Sequence, residues 1–219
     1  MARVVLGVTG SVAAVRTPAL YHTLRMGGHD VRVVATEPSL YFFDPASLGP
    51  PAEGSGGGPV FRDFDEWPGV RYGRDDPVLH VEFRKWADVL VVAPLDANTL
   101  AKFALGLCDN FLTCLFRAWD FARPVVLAPA MNTQMWENPA TLRHLRQLLA
   151  DFGDPAAPAS AWTLDEAAVV FARHAPRLIL IPPQARRLAC GDVGMGAMAE
   201  VATIAEAVRA EVAGGMAEG

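Results

Sequence analysis

Cysteine is scarce in this 219-residue chain: there are three, Cys108, Cys114 and Cys190, and none has CxxC spacing. Thiols so few and so scattered build no disulfide framework. The five histidines do not complete a zinc pattern with them, so no metal site is expected. Charge is sparse too, at 20% of residues, and 19 basic against 24 acidic side chains leave a net charge of −5. Sequence-independent binding of nucleic acid draws its affinity from a basic face, which this balance does not supply. No apolar run approaches the ~20 residues that span a bilayer, so no membrane span is expected. Val4 to Val15 is mostly apolar, but Gly7, Thr9, Gly10 and Ser11 interrupt it. It then runs into Arg16 and Pro18 without a cleavage site, so it does not read as a secretion signal. A GxGxxG fingerprint, a Walker loop and a nucleophile elbow are also missing. The thiol usage fits a reducing, cytoplasmic setting.

What the chain does have is apolar bulk, with 52% hydrophobic residues and no linker between two self-sufficient halves. This is the composition of one globular domain. Val4–Val8, Val31–Ala35, Val89–Ala93, Val125–Ala128 and Leu178–Ile181 are continuous apolar runs rather than alternating ones. Such runs predict strands buried on both faces. Helical stretches lie between and after them: Ala13–Met26, Ala97–Leu107, Phe111–Trp119, Thr141–Ala150 and Ala202–Val212. The alternation predicts an α/β, Rossmann-like, doubly wound parallel sheet with helices on both faces, as a single domain over 1–213. Gly49–Pro59 reads as a flexible loop, and 214–219 as a disordered tail.

In such sheets ligands sit at the carboxyl ends of the strands, so the residues just after each run are the candidates. The first strand ends in Gly7-Val8-Thr9-Gly10-Ser11 and opens into a helix. Free N–H groups there suit a phosphate, although an ordinary strand-to-helix turn has the same residues. Ala93-Pro94-Leu95-Asp96-Ala97-Asn98-Thr99 follows the third run, with helix capping as the plainer reading. Pro129-Ala130-Met131-Asn132-Thr133-Gln134-Met135-Trp136 follows the fourth and sets an amide among soft apolar side chains, which suit a flat ring but equally a core. His80 precedes Val81-Glu82-Phe83; an imidazole is suited to general-base work and, taken alone, is more often structural. Cys190 opens a run with Gly191, Gly194 and Gly196 that reads as a mobile or tightly folded loop.

Together these segments resemble the flavin-dependent cysteine decarboxylases. The stretch from His80 to Asp120, then Pro129–Trp136 and Ala189–Glu200, carries the resemblance, which covers about two-thirds of the chain. Leu95-Asp96 stands where the peptidyl-cysteine branch has Ala-Ser, so the likeness is to the coenzyme A branch. The resemblance implies FMN bound at a subunit interface, in a homotrimer. It implies that Gly10, Ser11 and Thr36 lie near the FMN phosphate and ribityl chain, and that Phe42, Pro94, Leu95, Asp96, Ala97 and Ala130 line the flavin. It makes His80 the catalytic base, Asn132 the holder of the substrate carboxylate or amide, and Cys190 the proton donor. Met135 and Ala189 would touch substrate.

The implied reaction converts 4′-phospho-N-pantothenoyl-L-cysteine (phosphopantothenoylcysteine) to 4′-phosphopantetheine. Direct loss of CO2 would leave an unstabilised carbanion, whereas flavin oxidation to a thioaldehyde places a C=S electron sink β to the carboxylate. CO2 then leaves, and reduction of the enethiolate returns the electrons. An FMN-binding regulatory paralogue that inhibits a phosphatase is the alternative, and a flavin prenyltransferase a third reading. The presence of His80, Asn132 and Cys190 and the short tail favour the enzyme. Against the family's usual spacing, Asp154 to about Arg177 reads as an insertion, which would lengthen a flap, add an oligomer contact or hang at the surface. Lys102 is a candidate for the substrate phosphate, with a solvated helix face as the plainer reading.

Overall fold

The structure is a computed structural model that describes residues 1–49, 58–74, 76–158, 161–187 and 193–215. Six strands form one parallel sheet: β1 (Arg3–Val8), β2 (Asp30–Ala35), β3 (Val60–Phe61), β4 (Val89–Leu95), β5 (Val125–Pro129) and β6 (Leu178–Leu180). Their order is β3-β2-β1-β4-β5-β6, so the chain reverses direction across the sheet between β1 and β4. This is the doubly wound arrangement in which a crevice opens beyond the carboxyl ends of the strands at the reversal.

The continuous apolar runs are explained by burial on both faces. Every residue of β4 and β5 is buried. Val4, Leu6 and Val8 pack into one layer, with α1 (Thr17–Met26) and α9 (Val201–Gly215), while Val5, Leu90 and Val92 pack into the other. The second layer is roofed by α3 (Leu79–Trp86), α4 (Ala97–Leu105), α5 (Phe111–Ala118) and α7 (Pro139–Phe152). Gly7 has a packing reason within β1: a Cβ there would lie 2.6 Å from Leu112 of α5.

Several boundaries differ from the sequence reading. The first helix splits into a 3-10 turn, Val12–Arg16, and α1, because Pro18 has no N–H to continue a helix and fits only its first turn. Short elements with too few residues for a periodic signal were not foreseen: β3, α2 (Asp63–Glu66) and α6 (Thr133–Trp136). Helix α3, which carries His80, was also not foreseen. α9 continues through Gly215, so 214–215 are helical rather than tail. Residues 50–57 of the expected loop and 216–219 of the expected tail lie outside the described residues.

The stretch from Asp154 to Arg177 is neither a surface appendage nor a flap. Its helix α8 (Ala167–His174) leads into β6, and Trp162, Ala167, Phe171 and Ala175 are buried in the core beside α7. Asp154 and His174 close the segment on itself, with the Asp154 N–H donating to the His174 carbonyl at 2.7 Å. The aromatic rings explain the placement, since Trp162 and Phe171 meet edge to face at 6.2 Å and gain more from the core than from water.

Candidate functional site

A cavity of about 490 Å³ opens beyond the carboxyl ends of β1, β4 and β5. Gly10 and Ser11 follow β1, Asp96 and Ala97 follow β4, and Ala130 to Asn132 follow β5; all line it, with Phe42. The remaining wall comes from an antiparallel hairpin, β7 (Gln184–Arg187) and β8 (Val193–Ala197), which contributes Arg186, Gly196 and Ala197.

Thr9 ties the two central strands together at the cavity floor. Its hydroxyl donates to the Pro94 carbonyl at 2.8 Å and accepts from the Asp96 N–H at 2.7 Å. Asp96 then caps α4 by accepting from the Thr99 N–H at 2.7 Å. Gly10 lies where a Cβ would stand 2.7 Å from Pro38 and 3.4 Å from the Asp96 carboxylate, so glycine lets this end of the cavity wall pack against Pro38. Ser11 caps the following turn, accepting from the Ala13 N–H at 3.3 Å.

Asn132 caps α6: its side-chain oxygen accepts from the Met135 N–H at 2.8 Å. That bond occupies the acceptor end of the amide and leaves the NH2 group as the end free for a ligand. The hairpin sits close over this turn. The Met131 N–H donates to the Gly196 carbonyl at 3.0 Å. Gly196 has φ +142°, and a Cβ on it would collide with the Met131 carbonyl. A Cβ on Gly194 would strike Thr133. Gly194 and Gly196, read from sequence as part of a loop, thus belong to a strand that lies flat on Met131 to Thr133, while Gly191 lies outside the described residues.

The hairpin is also held at the rim by Glu200. Its carboxylate accepts from Arg16 at 2.6 Å and from Gln184 at 3.0 Å, and pairs with Arg186. Hydrogen bonds from Arg16 and Gln184 hold the Glu200 carboxyl below the usual carboxylate range. Arg16 and Arg186 therefore place guanidinium groups on an otherwise largely apolar wall.

Of the sequence-derived candidates, Gly10, Ser11, Phe42, Asp96, Ala97, Ala130, Asn132 and Met135 line the cavity. Thr36, Pro94 and Leu95 are not among the lining residues. Thr36 is buried and bonded to the Val8 carbonyl at 3.3 Å, while Pro94 and Leu95 act through backbone carbonyls that accept from Thr9 and from the Ala130 N–H. His80 lies on α3, away from this wall, with its ring Nδ1 2.6 Å from Glu66. Ala189 and Cys190 lie outside the described residues. Lys102 is committed to Asp109, both of whose carboxylate oxygens it meets at 2.8 Å. Sequence reasoning missed Thr9, Arg16, Arg186, Glu200 and Glu66, because each acts through a partner far away in sequence. Among the described residues no acidic, histidine or cysteine cluster could hold a metal ion, and no helix is long and apolar enough to cross a membrane.

Fold and site together define a Rossmann-like protein with a ligand crevice at the reversal of its sheet. The crevice fits a flat ligand with an anionic end: glycine and a capping serine stand at one end, and Phe42, Ala97, Ala130 and Met198 form apolar walls. The chain belongs to the Flavoprotein family, whose model matches residues 1–213. It is 47% identical over 208 residues to a phosphopantothenoylcysteine decarboxylase of Arabidopsis thaliana, covering 94% of this chain and 83% of the relative. A mouse (Mus musculus) protein of the same name is 44% identical, covering 95% and 86%. Among solved structures, a phosphopantothenoylcysteine decarboxylase variant with cysteine replaced by serine, complexed with pantothenoylaminoethenethiol, superposes with a TM-score of 0.73. It is 45% identical and covers 95% of this chain and 96% of that one. The FMN-binding protein AtHal3 gives 0.69 at 46% identity, with 95% of each chain covered.

Proposed function

We propose that this chain binds FMN in the cavity and decarboxylates 4′-phospho-N-pantothenoyl-L-cysteine to 4′-phosphopantetheine in coenzyme A biosynthesis, as a homotrimer in the cytoplasm. The observation that carries the reading is Asn132, which lines the cavity with its amide oxygen held by the Met135 N–H, so that its NH2 group is the end left to donate to a ligand. FMN, when bound, supplies the two-electron oxidation and re-reduction that give the departing carboxylate an electron sink while leaving the overall reaction redox-neutral.

The chain's own residues orient the substrate and move protons. Gly10 and Ser11 would hold the cofactor phosphate, and Phe42, Ala97 and Ala130 its rings. The Asn132 NH2 donates to the substrate carboxylate. His80 accepts the substrate thiol proton, and Cys190 returns a proton to carbon. A thiol with an ordinary pKa near 8.5 is protonated at neutral pH and can serve as that acid.

His80 does not line the cavity of its own chain, which supports a site shared between copies. Val12, Val15 and Met135 are exposed at the cavity mouth, and Trp67, Val70 and Tyr72 are exposed in the segment that precedes His80. Two such sets of exposed apolar side chains, one at the cavity mouth and one outside it, suit a head-to-tail contact, which closes into a ring when the rotation permits.

The test is the absorbance spectrum of the purified protein together with CO2 release from phosphopantothenoylcysteine. A flavin spectrum with CO2 release supports the enzyme. A flavin spectrum without release favours the regulatory paralogue, and a protein that takes up no FMN overturns the reading.

A further inference from the structure

We infer that Glu66 is the positioning residue for His80, holding its ring with the proton on Nδ1 and the lone pair on Nε2. The inference rests on the reading of His80 as the base. Glu66 ends α2, a single turn brought against α3 from fourteen residues upstream. Its side chain is only 3% exposed, against 26% for His80.

Both oxygens of this buried carboxylate point at one residue. Oε2 accepts from the His80 backbone N–H at 2.9 Å, and Oε1 lies 2.6 Å from His80 Nδ1. The residue that precedes α3, Val78, offers no side-chain cap, so Glu66 supplies from outside the helix the acceptor that its first turn needs. An ionised carboxylate only accepts hydrogen bonds, so Nδ1 must carry a proton, and in the neutral imidazole Nε2 is then the bare nitrogen.

The mount is rigid. Asp63, at the other end of α2, accepts from the Phe111 N–H at 2.8 Å, which fixes α2 to the start of α5. Beneath the pair, Phe83 meets Phe61 at 4.8 Å and Phe111 at 5.2 Å, edge to face. The turn carrying Glu66 and the helix carrying His80 thus rest on one aromatic cluster.

Glu66→Gln separates positioning from packing, because it keeps the size and removes one acceptor. A backbone N–H can only donate, so the glutamine oxygen must face the His80 N–H. The NH2 group then faces Nδ1, which must become an acceptor. The ring is forced into the opposite tautomer, with Nε2 protonated and useless as a base.

The experiment is 15N spectroscopy of histidine-labelled holoenzyme above the pH at which imidazole is charged, with His80→Asn as the assignment reference. Steady-state decarboxylation is measured in parallel. The expected result is an Nδ1–H signature for His80 in the parent, an Nε2–H signature in Glu66→Gln, and flavin content unchanged. Turnover should fall by about 10²- to 10⁴-fold in kcat, with KM within a few fold. Glu66→Asp, which retains the charge and both acceptors, should restore the Nδ1–H signature and part of the turnover. An unchanged tautomer in Glu66→Gln, unchanged kcat, or loss of flavin and fold in both variants would overturn the inference. If the parent releases no CO2, the functional reading fails, and the tautomer exchange still decides the role of Glu66.

Discussion

At Asn132 one capping bond selects the chemistry of a ligand. Because the Met135 N–H occupies the side-chain oxygen, the cavity meets a donor and not an acceptor. Asn132→Asp keeps the cap, since either carboxylate oxygen accepts from Met135, but presents a negative charge to a substrate carboxylate. We expect flavin binding and melting temperature to be unchanged, and KM for phosphopantothenoylcysteine to rise by about 10- to 100-fold, the value of a charge-assisted hydrogen bond of ~1.5–3 kcal/mol. Steady-state kinetics with flavin absorbance checks this, and an unchanged KM would remove Asn132 from substrate binding. The residue was legible in the sequence because it follows the carboxyl end of a strand; that it opens a short helix, and which end of its amide is left for a ligand, was not, since both depend on a backbone N–H three residues on.

Among the elements, the hairpin β7–β8 was the least legible, because its alternation is of glycines rather than of apolar and polar side chains. Its register is set by contact with Met131 to Thr133, a requirement invisible along the strand itself. Gly196→Val sets a β-branched side chain at φ +142° and drives it into the Met131 carbonyl. The expected loss is about 2–3 kcal/mol, and substrate affinity should fall with it; chemical denaturation and substrate titration read the two effects. At the far end of the sheet, Asp88 joins the start of β4 to the start of β1 by accepting from the Arg3 backbone N–H at 2.8 Å and its guanidinium at 3.0 Å. Burial alone would push the Asp88 carboxyl up, but the hydrogen bonds from Arg3 hold it below the usual range. A depressed carboxylate contributes stability that is present above its unfolded pKa, near 3.9, and lost as the pH falls through its lower folded value. Relative to Asp88→Asn, the parent should therefore be more stable at neutral pH, by under ~1 kcal/mol because both partners are half exposed. That difference should close below about pH 4; denaturation of both proteins across this range checks it.

For the whole molecule, the proposed homotrimer with its site shared between copies would make assembly part of the function, since His80 is not among the residues lining its own chain's cavity. Val70 is fully exposed and outside the cavity. Val70→Glu should leave the monomer folded and dissociate the assembly, and light scattering alongside CO2 release should show mass and turnover falling together. A full-size assembly with the glutamate in place would move the interface elsewhere. The segment 154–177 bears on stability in the opposite way. Trp162 is buried, its indole N–H donates to the Pro158 carbonyl at 3.0 Å, and the Arg146 guanidinium lies 5.4 Å above its ring. Trp162→Ala should cost about 3–5 kcal/mol, with flavin affinity unchanged at temperatures where the protein is folded. A surface appendage would lose almost nothing.

The sequence by itself determined the layered architecture and the location of the crevice. Continuous apolar runs at Val4–Val8, Val89–Ala93 and Val125–Ala128 require burial on both faces, and the polar residues just after them mark the carboxyl ends where a doubly wound sheet opens. These are local signals, carried by neighbours in the chain. Tertiary structure alone decided the rest: Thr9 bonded to Pro94 and Asp96, Glu200 gathering Arg16, Gln184 and Arg186, Glu66 seated on His80, and Trp162 turned into the core. Thr9 and Arg16 find partners more than eighty positions away, and the nearer pairs, Glu200 with Gln184 and Arg186 and Glu66 with His80, meet only through a hairpin or a fold between two short helices. No periodicity encodes such pairs, because a buried polar group finds its partner only once packing has removed water from both.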